Sequence, residues 1–101
     1  MKTVQTGSNF TVNASENNVF ISIVQPSNAT APRTYTLGTI TTDYRPRWNI
    51  AAPLSSISSS DGNTFGWIKC STSGTLEVII QKSTYSSSGG LTLYGSLNYS
   101  I

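Results

Sequence analysis

The groups able to do acid–base, nucleophilic or metal chemistry are few: the carboxylates are Glu16, Asp43, Asp61 and Glu77, Cys70 is the single cysteine, and histidine is absent. Two carboxyl groups flanking a glycosidic bond would make a hydrolase. Asp61, however, stands before Gly62 in a turn signal, Glu77 fits the solvated face of a strand, and Glu16 reads as loop polarity. Without histidine there is no Ser-His-Asp or Cys-His nucleophile, no His-based metal site and no ordinary general base near neutral pH. With one cysteine there is no internal disulfide and no sulfur-rich metal site. The expectation is a chain that is not an enzyme, with no catalytic residue, no metal and no cofactor.

Recognition chemistry is better supplied. The stretch TTDYRPRWNI, residues 41 to 50, gathers an acid, two arginines, a proline and two aromatics. Sugar rings present apolar C–H faces to aromatics and hydroxyls to Asp, Asn and Arg. The residues predicted to contact a ligand are Trp67, Tyr94, Asp61 and Arg47. Trp48 reads as core instead, because Trp48, Ile50 and Ala52 alternate as the inward face of a strand. In the preceding half, Pro46 fixes its own φ and biases Arg45 towards extended backbone, which makes a turn, and Asp43 is close enough to Arg45 for a local ion pair. Cys70 reads as a small core residue beside Ile68.

Composition narrows the partners. Charged residues are 10% of the chain, against about 25% in ordinary globular proteins. The basic residues Lys2, Arg33, Arg45, Arg47, Lys69 and Lys82 are scattered, and net charge is only +2. A duplex-binding surface makes about 6 to 10 phosphate contacts, so nucleic acid is not an expected partner. No apolar run approaches the roughly 18 residues of a spanning helix, and no signal-peptide core opens the chain, so membrane insertion is not expected either.

These residues must be positioned by strands. Alternating apolar and polar positions between Ser, Gly, Asn and Pro clusters predict strands near 8–14, 18–25, 33–41, 47–53, 65–71, 75–82 and 91–101. The 101 residues are read as a single domain, 1–101, all-β, an antiparallel β-sandwich of about seven to eight strands, jelly-roll-like or immunoglobulin-like. Leu76, Val78 and Ile80 form one core face; Leu91, Leu93, Leu97, Tyr99 and Ile101 form another. The same alternation turns Phe20, Val24, Phe65, Trp67, Ile79 and Tyr94 outward. An outward apolar set on a surface so poor in charge fits a subunit interface, a ligand platform or single exposures of the ordinary kind. Turns are expected at SSSDGNT through Asp61-Gly62, at STSGT around Gly74, and in a loop over TYSSSGG.

The order of motifs from about residue 35 resembles the C-terminal domains of bacteriophage tail and baseplate proteins, including receptor-binding tips from phages of Gram-positive bacteria. The matching parts are Leu37 to Ile40, Tyr44-Arg45-Pro46, Trp48-Asn49-Ile50-Ala51-Ala52, Asp61-Gly62, Gly66-Trp67-Ile68-Lys69-Cys70, Ser73-Gly74-Thr75-Leu76-Glu77-Val78 and Leu93 to Tyr99. The resemblance implies a β-sandwich, often homotrimeric, made in the host cytoplasm and carried on the virion. It implies adhesion to host cell-wall saccharide, or, alternatively, a purely structural role joining neighbouring tail, baseplate or capsid-decoration subunits. A bacterial adhesin or secreted lectin domain is the third reading.

Overall fold

Strand propensity, with Val, Ile, Thr and Tyr repeating at period two, is realised almost throughout. A computed structural model of the chain describes residues 1–27, 33–54, 56–57, 65–82 and 91–101. In chain order the strands are β1 (Lys2–Thr6), β2 (Phe10–Ala14), β3 (Asn18–Ser27), β4 (Arg33–Thr39), β5 (Ile50–Pro53), β6 (Ser56–Ile57), β7 (Phe65–Cys70), β8 (Thr75–Lys82) and β9 (Leu91–Ser100), with one 3-10 turn at Thr42–Tyr44. Among the described residues no helix is long and apolar enough to cross a membrane.

Every described pairing is antiparallel, and the strands form two sheets, β1-β2-β3-β9-β6 and β4-β8-β7-β5. The chain folds back on itself in nested pairs, β3 with β9, β4 with β8 and β5 with β7. The all-β antiparallel sandwich expected from the sequence is therefore the architecture. Two strands lie outside the expected set: β1, which buries none of its residues, and the two-residue β6. The strand expected over 47–53 starts only at Ile50.

The inner faces are apolar because alternation and register agree. Across the larger sheet, Val12, Ile21 and Leu97 lie side by side; across the smaller, Ala52, Ile68, Val78 and Tyr35 do the same. Val12, Ile21, Ile68, Val78 and Leu93 have no exposed surface, and each such side chain stabilises the fold by about 1.5–3 kcal/mol on burial. Cys70 points inward with Ile68, as expected. The Phe10 ring fits because Gly7 and Gly38 lack side chains: a Cβ there would lie 2.1 and 2.8 Å from its Cε1.

Both sheets have an edge strand, β1 and β4, joined by one side chain. The Gln5 amide donates through Nε2 to the Thr39 carbonyl at 2.8 Å and accepts from the Thr41 N–H through Oε1 at 2.9 Å. It thus supplies between sheets the donor and acceptor that a backbone peptide supplies within one.

Candidate functional site

The end of the sandwich beyond β5 is built from the turn that carries TTDYRPRWNI. Tyr44 N–H donates to the Thr41 carbonyl at 3.0 Å, closing the 3-10 turn. Arg45 Nε then donates to the Ile40 carbonyl at 2.8 Å, and no ion pair joins Arg45 to Asp43. That expectation is corrected: the guanidinium folds back over the β7–β8 hairpin, where Ile40 N–H also reaches the Gly74 carbonyl at 2.8 Å. Gly74 has φ +88°, and a Cβ there would lie 2.6 Å from Arg45 Nε and 2.7 Å from the Ile40 oxygen. Only glycine combines that backbone with so close an approach. On the other side of the turn the Tyr99 hydroxyl donates to the Tyr44 carbonyl, and Pro46 is buried. The Asn49 side chain accepts from Thr72 N–H at 3.0 Å.

This lacing turns Trp48 away from the core. The indole is 77% exposed, so its assignment to the inward face of a strand is overturned. The chain bends at Arg47 and Trp48, and Asn49 is tied sideways to Thr72, so β5 and its alternation begin only at Ile50. Beside the indole lies a groove of about 250 Å³ lined by Pro46, Arg47, Trp48, Ile50, Tyr99 and Ile101. A second groove, of about 450 Å³, is lined by Met1, Lys2, Val4, Ala14, Glu16 and Tyr44.

The buried groups beneath these grooves are not reactive. Burial pushes the Cys70 thiol from about 9.0 up to about 11, with Arg45 pulling weakly the other way. Its Sγ lies 3.6 Å from the Ser71 carbonyl as a donor. A thiol that is protonated at neutral pH and shut from solvent is a core residue, not a nucleophile. Burial, and then the neighbouring Cys70, raise the Tyr99 phenol well above its ordinary range. Among the described residues no three His, Cys, Asp or Glu gather to hold a metal ion.

The predicted contact residues do not converge. Arg47 lines the groove with Trp48. Trp67 lies on the outer face of the smaller sheet, 36% exposed, between Pro53 and Ile79 of the neighbouring strands. Tyr94 is half-buried on the outer face of the larger sheet, opposite Val24 and Ser56. Trp67 and Tyr94 therefore look out from opposite sides of the sandwich and cannot line one site. Asp61, with the SSSDGNT turn, lies outside the described residues, as does the TYSSSGG loop.

The outward apolar set also separates. Phe20 is half-buried between the polar Asn13 and Asn98, an isolated exposure. Trp67 belongs instead to a row, Pro53–Trp67–Ile79–Thr34, lined up across β5, β7, β8 and β4. An apolar hollow of about 280 Å³ lies there between Ala51, Ala52, Pro53, Gly66 and Trp67. Alternation finds Trp67, but it misses Trp48, Tyr99 and the second groove. The signal that was present for Trp48 was compositional: Pro46 and Asn49 bracket it, and both are turn formers. Comparison of the chain with protein-family models, with curated proteins and with solved structures finds no match in any of the three.

Proposed function

We propose that this protein is a non-catalytic binding module that recognises saccharide on a bacterial cell surface as part of a phage tail or baseplate. The observation that carries the binding half is Trp48, 77% exposed on a laced turn beside Arg47 and over a groove of about 250 Å³. An indole held in water on a fixed backbone offers a stacking face with little ordering cost on binding. Arg47 offers donors to ring oxygens or acidic substituents. The virion half rests on the order of motifs from Leu37 to Ile40 and Tyr44-Arg45-Pro46 through to the closing Tyr-containing strand, and it brings with it synthesis in the host cytoplasm, a homotrimer and neighbouring tail proteins as partners. A weak single site suits such a setting, because many linked copies raise avidity without new contacts.

Titration with host cell-wall polysaccharide tests the reading. Binding that disappears in Trp48→Ala at unchanged melting temperature supports it; no binding by the intact protein removes it.

A second reading is favoured by the row Pro53–Trp67–Ile79: a structural domain whose smaller sheet packs on a neighbouring subunit. Directly opposed Lys69 and Glu77 border that row, so the face carries apolar surface edged by both signs of charge. Sedimentation of Trp67→Ala separates the readings, since loss of an oligomer with polysaccharide binding absent in the parent favours assembly.

A further inference from the structure

The outer face of the smaller sheet carries a second row. One outward step along the strands from Pro53–Trp67–Ile79–Thr34, register lines up Ala51, Lys69, Glu77 and Thr36. On the two central strands, β7 and β8, four positions therefore form a quartet, Lys69 beside Glu77 and Trp67 beside Ile79. Neighbouring strands lie about 4.8 Å apart, and successive outward positions on one strand about 7 Å apart. Although Lys69 and Glu77 are directly opposed, no ion pair takes up either of them among the described residues.

A second copy of the chain matches this quartet about one two-fold axis. Two identical faces meet about an axis lying between them, so each residue meets the position that the axis exchanges with its own. An axis along either strand would set Lys69 or Glu77 on its own copy. An axis across the strands would set Lys69 on the partner's Trp67 and Glu77 on the partner's Ile79, burying both charges unpaired. An axis along the strands, midway between β7 and β8, exchanges the two strands instead. Each Lys69 then faces the partner's Glu77, and each Trp67 faces the partner's Ile79. This axis also keeps the strands of the two sheets within the roughly 30° of aligned sheet packing, and residues so near it shift least when one sheet turns on the other. The partner's Ile79 projects towards the apolar hollow of about 280 Å³ beside Trp67.

We infer that, granted the assembly reading above on which this rests, the neighbouring subunit is a second copy of this chain, joined face to face through the smaller sheet. Each Lys69 pairs with the partner's Glu77, and each Trp67 packs on the partner's Ile79. Eight outward positions are fewer than the roughly 20 to 30 residues a side of a standard interface, so the dimer is a weak one.

The test is sedimentation equilibrium of the intact chain up to millimolar protein, with the two charge reversals made separately. The parent should dimerise, less tightly at raised salt. Lys69→Glu and Glu77→Lys each set like charges at both contacts and should weaken the dimer at least about tenfold. Each also sets like charges side by side within its own chain, so the equimolar mixture of the two is decisive. In a mixed dimer every contact between positions 69 and 77 across the interface is again of opposite sign, while the clash inside each chain persists. Dimer recovered on mixing supports the assignment; a mixture as monomeric as its components overturns it. So does a parent chain that stays monomeric. A parent oligomer that both reversals leave intact overturns the pairing, and the assembly reading stands if Trp67→Ala dissociates that oligomer. An oligomer that survives Trp67→Ala as well overturns both.

Discussion

Two tryptophans face solvent in this molecule, and they are held there in different ways. Trp67 is set by sheet register: its position on β7 between Ile68 and Gly66 forces it to the outer face, and Pro53 and Ile79 flank it because their strands pair with β7. Trp48 is set by individual hydrogen bonds around a turn, from Arg45, Tyr99 and Asn49. Register produces a flat row, suited to a flat partner such as another sheet. A laced turn produces a projecting ring above a groove, suited to a small ligand. If that contrast is sound, substitutions under each tryptophan will fail differently, and those in the tryptophans themselves will separate assembly from ligand binding.

The largest effect is expected under Trp67. A Cβ on Gly66 would lie 1.9 Å from the Ile79 carbonyl oxygen, and a backbone atom cannot swing aside as a flexible side chain would. Gly66→Ala should destabilise the protein by about 3 kcal/mol, read as a lowered urea midpoint. A loss below about 1 kcal/mol would mean that the irregular step in register at Phe65/Gly66 lets β7 and β8 slide, and that the row around Trp67 is not fixed by register.

Under Trp48 the buried thiol gives a pH test. Cys70 titrates near 9.0 when unfolded and near 11 when folded, so between those values the unfolded chain has lost a proton that the native state keeps. Stability attributable to the thiol is complete below about pH 9 and falls as pH rises towards 11, by about 2.7 kcal/mol in all. Tyr99, also raised, adds loss in the same sense above pH 10. Cys70→Val should flatten the first part of the decline; an unchanged profile would show that solvent reaches the thiol and that the end of the sandwich opens.

Gly74→Ala should cost slightly less than the Gly66 change, about 2 kcal/mol, because one obstacle is the Arg45 side chain, which can move, while the φ of +88° remains unfavourable for alanine. Displacing Arg45 also frees the turn, so polysaccharide affinity should fall with stability. Affinity preserved in Gly74→Ala would show that the lacing does not position Trp48.

These cases also mark how far the sequence could be read. Strict alternation in FGWIKC, in TLEVIIQK and in Leu93 to Tyr99 placed Ile68, Cys70, Leu76, Val78, Ile80, Leu93 and Leu97 correctly and turned Ile79 and Trp67 outward. Gly74 announced its hairpin, since STSGT has no other use for a glycine there. Alternation fails where the chain stops being a strand. Trp48, Ile50 and Ala52 are spaced like one face, but parity has no meaning across the bend at Arg47. The Arg45 partner was hidden for a related reason: Asp43 is its neighbour in sequence, whereas the Gly74 hairpin is brought beside it only by folding. β1 gave no signal because Val4 is its one apolar residue packed against the core, and one residue makes no apolar period.

The smallest effect on stability is expected at the most conspicuous residue. Trp48 is 77% exposed, so truncating it removes little buried surface, and Trp48→Ala should change stability by less than about 0.5 kcal/mol. Trp67, 36% exposed and wedged between Pro53 and Ile79, should cost about 1 kcal/mol when replaced by Ala. The informative quantity is the crossing of two readouts. Trp48→Ala should leave the urea midpoint unmoved while saccharide affinity is lost, and Trp67→Ala should lower the midpoint while affinity is kept. If instead Trp48→Ala destabilises as much as Trp67→Ala, the indole packs onto the Tyr99 and Ile101 side of its groove, and the end of the sandwich is closed core and not a ligand platform.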